Sequence, residues 1–154
     1  MVCSHMMSLY SGHWGLPGGH LEQSEDFFAC VERETLEETG LAVRGLKVIA
    51  VTNDKFPEQG KHYVTVFTKC ERIDPQQEPQ VRYEKALRIE LLWEIANGCP
   101  YVQVMEPEKC ESWHWKTWQE IYAMANGSDD LRRLFLPVEN LVRENPQLES
   151  MIAT

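Results

Sequence analysis

Cysteine is sparse and scattered in this chain. Cys3, Cys30, Cys70, Cys99 and Cys110 stand far apart, without the close pairs that a zinc site uses. Their odd number and lack of metal-type spacing favour free thiols in a reducing compartment. The cytoplasm is the default expectation, with the nucleus left open. No run approaches the roughly 18 apolar residues of a membrane span. The first residues lack the basic-then-apolar pattern of a signal peptide, so no membrane partner is expected. Lys/Arg blocks are missing as well. With 24 acidic against 15 basic side chains the formal charge is −9, which repels a nucleic-acid backbone and excludes a duplex-binding module. No internal repeat or low-complexity segment is visible.

The 154 residues fit one domain, residues 1–154, and 43% of them are hydrophobic, enough for a buried core. Residues 1–15 carry no clear periodicity. The stretch Gly15–Gly19, with Pro17 inside it, reads as a turn. A helix follows. Ser24 is placed as its N-cap, Glu25 and Asp26 lie in its first turn, and Gly40 ends it as a left-handed cap. Phe27, Phe28, Val31 and Thr35 recur at three- and four-residue intervals and supply its buried face. Leu46–Thr52 reads as a strand, Pro57 and Gly60 as a loop, and His62–Cys70 as a second strand. Tyr83–Ala96 has an amphipathic helical pattern, residues 111–118 alternate as a strand, and a last helix is expected over Leu131–Arg143. Strands interleaved with helices predict a mixed α/β (α+β) domain.

Chemistry concentrates between Gly18 and Leu41. Glu34 precedes Glu37 by three residues and Glu38 by four, so the three carboxylates gather on one helix face. Like charges at that spacing repel by a few tenths of a kcal/mol per pair. A divalent cation turns the penalty into a binding site, since hard Mg²⁺ prefers oxygen ligands and keeps open positions for water and phosphate. Alone, Glu-Thr-Leu-Glu-Glu is as well read as a solvated helix face. The wider pattern changes that balance: Gly19, Glu25, Arg33-Glu34, Glu37-Glu38, Gly40 and Leu41 fall at set spacings. Arg33 lies eight after Glu25 and four before Glu37, placed to orient carboxylates by charge-assisted hydrogen bonds. Gly18 and Gly19 let the backbone approach metal and phosphate closely.

At this point the chain resembles the Nudix family, whose signature occupies residues 19–41. Three further runs are similar to the MutT-like nucleotide diphosphatase branch: Leu16-Pro17-Gly18-Gly19-His20-Leu21-Glu22, His62-Tyr63-Val64-Thr65-Val66-Phe67, and Glu106-Pro107-Glu108-Lys109-Cys110-Glu111-Ser112-Trp113. The resemblance implies a Nudix-type α/β/α sandwich with a mixed sheet. It implies a hydrolase that cleaves a phosphoanhydride bond with Mg²⁺, for which Mn²⁺ can substitute. Glu34, Glu37, Glu38 and Gly18 are the implied metal ligands, with Glu34, Glu37 and Arg33 catalytic and Gly19 and His20 toward the substrate. His20 is equally read as a surface histidine in a turn. Glu106, Glu108 or Glu111 can add a ligand, although a solvated acidic loop is the simpler reading. Trp113, Trp115 and Trp118 can stack on a base, and at strand spacing they read better as core.

The expected substrate is a small nucleotide. A nucleoside triphosphate cleaved to a monophosphate leads, as in sanitising a nucleotide pool. A dinucleotide such as NADH or ADP-ribose is the alternative, and a non-catalytic Nudix-fold binding module is the alternative of another class. Relatives are often dimers, so a homodimer is left open. The chain departs from the family pattern in four places. Few residues stand before the box, so the strands normally found there are expected to be missing, as in a shortened or alternatively spliced chain. Residues 81–101 read as an insertion. Ser24 replaces a glycine usual before Glu25, and as an N-cap it is expected to be tolerated. Thr35 is polar where the signature is aliphatic, though its methyl can pack.

Overall fold

The computed structural model describes residues 4–10, 12–79, 112–127 and 133–152. The expected helix at Tyr83–Ala96, the segment 81–101, and Glu106, Glu108 and Glu111 lie outside the described residues.

Two strands precede the box. β1 (Ser4–Tyr10) and β2 (His13–Gly15) pair antiparallel, with Leu9 opposite Trp14. The expectation of missing N-terminal strands is thereby corrected. Tertiary pairing supplies what local periodicity does not show: β1 is zipped along its length to β5 (Ser112–Thr117), with Met7 opposite His114. β2 is extended by a parallel pairing with the two-residue β6 (Arg133–Leu134). The mixed sheet runs in the order β5-β1-β2-β6.

A second, two-stranded sheet is the long hairpin of β3 (Val43–Phe56) and β4 (Lys61–Arg72). Both strands outrun the sequence-predicted bounds. They are joined by a 3₁₀ turn over Pro57–Gln59, closed by Gly60 at φ 62°. Register shifts interrupt the ladder between Gly45 and Lys47 and between Val48 and Ala50. At the first of these, the Gly45 N–H donates to Glu32 Oε1 at 2.9 Å, tying the strand to the helix above it.

That helix is α1 (Phe27–Thr39). Its N-cap is Asp26, whose carboxylate accepts from the Phe28 and Ala29 N–H groups at 2.8 and 2.9 Å. Ser24 is not the cap, and Glu25 lies before the helix rather than in its first turn. Ser24 instead holds φ 69°, the left-handed region where glycine is at ease. Gly40 ends the helix as expected, at φ 73°, with its N–H on Leu36 O at 2.9 Å. The buried face differs from the expected one. Thr35 and Thr39 are buried, whereas Phe27 and Phe28 are 50% and 38% exposed. Thr39 suits burial because its hydroxyl donates to Thr35 O at 2.6 Å and accepts from Leu41 N at 3.1 Å. Phe28 lies over Gly45, where a Cβ would come within 2.6 Å of its ring.

Two helices were not foreseen as such. α2 (Trp118–Asn126) opens on a capping box, Thr117 with Glu120, a signal legible in the sequence. The expected helix over Leu131–Arg143 begins later, as α3 (Leu136–Glu144). Pro137 dictates the delay: it is accepted in a first turn and breaks an interior. Arg133–Leu134 is therefore free to pair as β6. α4 (Leu148–Ile152), the second unforeseen helix, is a short turn after Pro146. Met7, Trp14, Ala50, Phe67, Trp118, Ile121, Leu134, Val138, Leu141, Val142, Leu148 and Ile152 form one core, joining both sheets to α2, α3 and α4. Trp118 thus belongs to the core as expected, though from the first turn of α2 rather than from a strand. No helix among the described residues is long and apolar enough to cross a membrane.

Candidate active site

The box begins as a loop laid against the helix it precedes. Gly18, at φ 154°, donates its N–H to Glu38 Oε2 at 3.0 Å. Gly19 sits directly against Glu34: a Cβ built there would lie 2.3 Å from Oε1 and 2.5 Å from Oε2. The turn therefore touches two of the three box carboxylates, and only a residue without a side chain leaves that space open.

Arg33 organises the rest. Its Nε donates to Glu25 Oε1 at 2.8 Å and its Nη2 to Glu25 Oε2 at 2.9 Å. Nη1 reaches Glu34 Oε1 at 2.8 Å and Glu37 Oε2 at 3.3 Å, and Nη2 also reaches the His20 carbonyl at 3.2 Å. One guanidinium thus binds three carboxylates and the backbone of the glycine turn, the forked use for which arginine is suited and lysine is not. Glu25 also accepts from the Glu22 N–H at 3.0 Å. The Arg33 hydrogen bond, followed by that backbone bond, lowers the Glu25 carboxyl to about 2. The bonds to Glu25 and then Glu34 push Arg33 further up, so it is a permanent cation. Cys30 lies beside this cluster, its Sγ 3.8 Å from Arg33 Nη2 and 3.7 Å from the His20 carbonyl. Burial and the Glu25 charge raise the Cys30 thiol above its ordinary value, which suits a packed neutral thiol rather than a nucleophile.

Arg33, Glu34, Glu37, Glu38, Gly18, Gly19 and His20 are all brought together on α1 and the turn facing it. Among the described residues no group of three or more His, Cys, Asp or Glu side chains is placed to hold a metal ion together. Glu34 and Glu38, both against the glycine turn, are oxygen donors that fit a hard divalent cation taking one or two carboxylates and leaving positions for phosphate and water.

A feature that sequence reasoning missed adjoins His20. Its ring lies 5.9 Å from that of Tyr63, Tyr63 is 5.8 Å from Phe56, and Phe56 is 5.8 Å from Phe135. The row leads away from the glycine turn, and Tyr63 and Phe135 are 37% and 47% exposed. Its members come from the turn, both hairpin strands and the residue before α3, so no local spacing announces it. Trp115, by contrast, is tied down: its Nε1 donates to Glu78 Oε2 at 2.8 Å and Arg72 stacks 4.8 Å from its ring centre.

The profile of the Nudix domain family matches residues 5–136. Among solved structures the chain is similar to a MutT Nudix hydrolase from Burkholderia pseudomallei, at 21% identity over 76% of this chain and 75% of that one, with a TM-score of 0.50. It is similar to a MutT protein from Methanosarcina mazei Go1, at 17% identity over 92% and 85%, with a TM-score of 0.53. It also matches a UDP-X diphosphatase at 17% identity and a TM-score of 0.54, where 97% of this chain spans 56% of that one. At these identities the likeness is one of fold. With the family profile over most of its length and the box residues gathered at one site, the chain belongs to the Nudix hydrolase family.

Proposed function

We propose that the chain hydrolyses nucleoside triphosphates to monophosphate and pyrophosphate, with magnesium as cofactor and manganese able to replace it. The observation that carries this reading is the contact of the Gly18–Gly19 turn with both Glu38 and Glu34. That contact puts backbone and carboxylates at one point where phosphate and a cation can meet. Glu34, Glu37, Glu38 and Gly18 are the residues from which the cation would draw its one or two carboxylates and any backbone ligand. When bound, it supplies charge neutralisation on the phosphates and an acidified water.

The chain's own residues do the rest. Arg33 holds Glu34 and Glu37 in fixed directions, so one carboxylate can accept the proton of the attacking water. Gly19 leaves room for the Glu34 carboxylate to lie against the turn, and His20, next in the chain, would donate to a phosphate oxygen. Tyr63, Phe56 and Phe135 offer flat apolar faces next along from the turn, which favours a base-bearing substrate over a simple polyphosphate.

The test is pyrophosphate release from ATP, GTP, CTP and UTP and AMP formation from NADH and ADP-ribose, with and without Mg²⁺, beside Glu34→Gln. Pyrophosphate release from a triphosphate that needs Mg²⁺ and falls by roughly 10²–10⁴-fold in the mutant is expected. Turnover confined to the dinucleotides would replace the substrate class. Equal turnover by Glu34→Gln would remove the site assignment.

A further inference from the structure

Asp54 is a fully buried carboxylate that the proposed reaction does not use. It is held by hydroxyls and an amide. Oδ2 accepts from the hydroxyls of Thr52, at 3.0 Å, and Thr65, and Oδ1 accepts from Asn140 Nδ2 at 2.7 Å. Asn140, itself buried on α3, accepts at Oδ1 from Arg143 Nη2 at 2.5 Å. The Asn140 amide is polarised in one sense along its length, by a guanidinium at its oxygen and a carboxylate at its nitrogen, so each bond strengthens the other. A buried carboxylate is a poor choice for stability alone, since a well-packed apolar residue does as well or better. It does give direction: α3 can sit on the hairpin only where Asn140 meets Asp54.

What this direction sets is close by. Asp54 is opposite Tyr63 in the ladder and two residues from Phe56. The same α3 is entered through Phe135, whose N–H donates to Trp14 O at 2.8 Å. The clamp therefore joins the element carrying Phe135 to the hairpin carrying Phe56 and Tyr63.

We propose that Asp54 is a positioning residue for nucleoside binding, its clamp on Asn140 fixing Phe135 against Phe56, the ring that Tyr63 also meets. The inference rests on the aromatic row being the base-binding surface. Phosphate binding at the glycine turn does not depend on the clamp, so loss of the clamp separates the two.

The experiment compares Asp54→Asn, the double variant Asp54→Asn with Asn140→Asp, and Phe135→Ala with the parent. KM is measured for the best of ATP, GTP, CTP and UTP with Mg²⁺, and Kd for inorganic tripolyphosphate as a base-free probe. Asp54→Asn should raise the nucleotide KM about tenfold, with kcat and the tripolyphosphate Kd within about twofold of the parent, a loss of about 1.4 kcal/mol. The double variant swaps the two groups: an amide on β3 then donates to a carboxylate on α3, and that carboxylate meets Arg143. It should return KM to the parental value. This variant also keeps the test decisive if Asp54→Asn alone does not fold. An unchanged KM in folded Asp54→Asn, an equal loss of nucleotide and tripolyphosphate binding, or a double variant that folds without restoring KM overturns the inference. An unchanged KM in Phe135→Ala overturns the aromatic-row reading beneath it, whatever Asp54→Asn does.

Discussion

Arg33 grips Glu25 edge to edge, Nε on Oε1 at 2.8 Å and Nη2 on Oε2 at 2.9 Å, across eight residues of sequence. Because Glu25 stands before α1 and Arg33 within it, the pair fastens the box loop to the helix carrying the other carboxylates. The remaining Arg33 donors then reach Glu34, Glu37 and the His20 carbonyl, so the loop and the carboxylate row share one anchor.

This pair gives acid sensitivity a defined sign. The Arg33 bond lowers the Glu25 carboxyl from 4.5 to about 2. A carboxylate whose folded value is depressed stabilises the fold fully above its unfolded value and loses that contribution as pH falls through the folded one. Glu25→Gln should therefore melt below the parent at pH 7, with the gap closing between about pH 4.5 and 2. Melting curves of both proteins from neutral pH down to about 2 check this. A gap that stays constant over that range would mean the pair does not set the carboxyl's titration.

Ser24 presents a second, opposite case. Its φ of 69° is a conformation that costs a residue with a Cβ about 1 kcal/mol and glycine little. The helix cap is Asp26, so Ser24 has no capping role to lose. Ser24→Gly should raise stability by up to about 0.5 kcal/mol, the entropy of the freer unfolded chain offsetting the rest. Asp26→Ala should lower it by about 1 kcal/mol. Urea midpoints distinguish the two, and a glycine variant weaker than the parent would show that Ser24 makes a contribution its backbone angle conceals.

These residues mark where sequence reading succeeded and where it stopped. The box residues were legible because one helix at about 3.6 residues per turn collects Glu34, Glu37 and Glu38 without help from the rest of the fold. Gly40 was legible for the same reason. The choice between Ser24 and Asp26 as cap was not, since both are good caps and the backbone path of the preceding loop decides. β1 and β2 were missed because their order comes from pairing with β5 and β6, at the far end of the chain. Pro137 could have corrected the start of α3, and Thr117 with Glu120 could have announced α2. The aromatic row and the Asp54 clamp join residues with no common local pattern, so only the fold displays them.

The capping box of α2 carries a prediction of its own. Thr117 Oγ1 accepts from Glu120 N at 3.2 Å while Glu120 Oε2 accepts from Thr117 N at 2.7 Å. That backbone bond also holds the Glu120 carboxyl below its ordinary value. α2 contributes Trp118 and Ile121 to the core, so fraying its first turn loosens more than a surface helix. Thr117→Ala should cost about 1 kcal/mol and Thr117→Ser much less. Equal denaturation midpoints for parent and alanine variant would show that packing of Trp118 alone fixes the helix start.

Gly19 separates activity from stability most sharply. A Cβ at this position would overlap the Glu34 carboxylate, at 2.3 Å from Oε1, 2.4 Å from Cδ and 2.5 Å from Oε2. The obstacle is the far end of a flexible side chain, so the chain can relieve the clash by turning Glu34 aside. Backbone strain adds nothing here, since Gly19 is not among the glycines at positive φ. Gly19→Ala should therefore still fold, losing at most about 1 kcal/mol with the Arg33–Glu34 ion pair. Yet it moves a carboxylate proposed to hold the cation away from both the turn and Arg33. A displacement of about 1 Å in such a group is enough to cost on the order of 100-fold in rate. Turnover and Mg²⁺ titrations beside urea unfolding measure both quantities on the same preparation. A folded Gly19→Ala protein with parental turnover and parental Mg²⁺ dependence would remove Glu34 from the proposed site, because its carboxylate cannot stay where it is once a methyl group occupies that space.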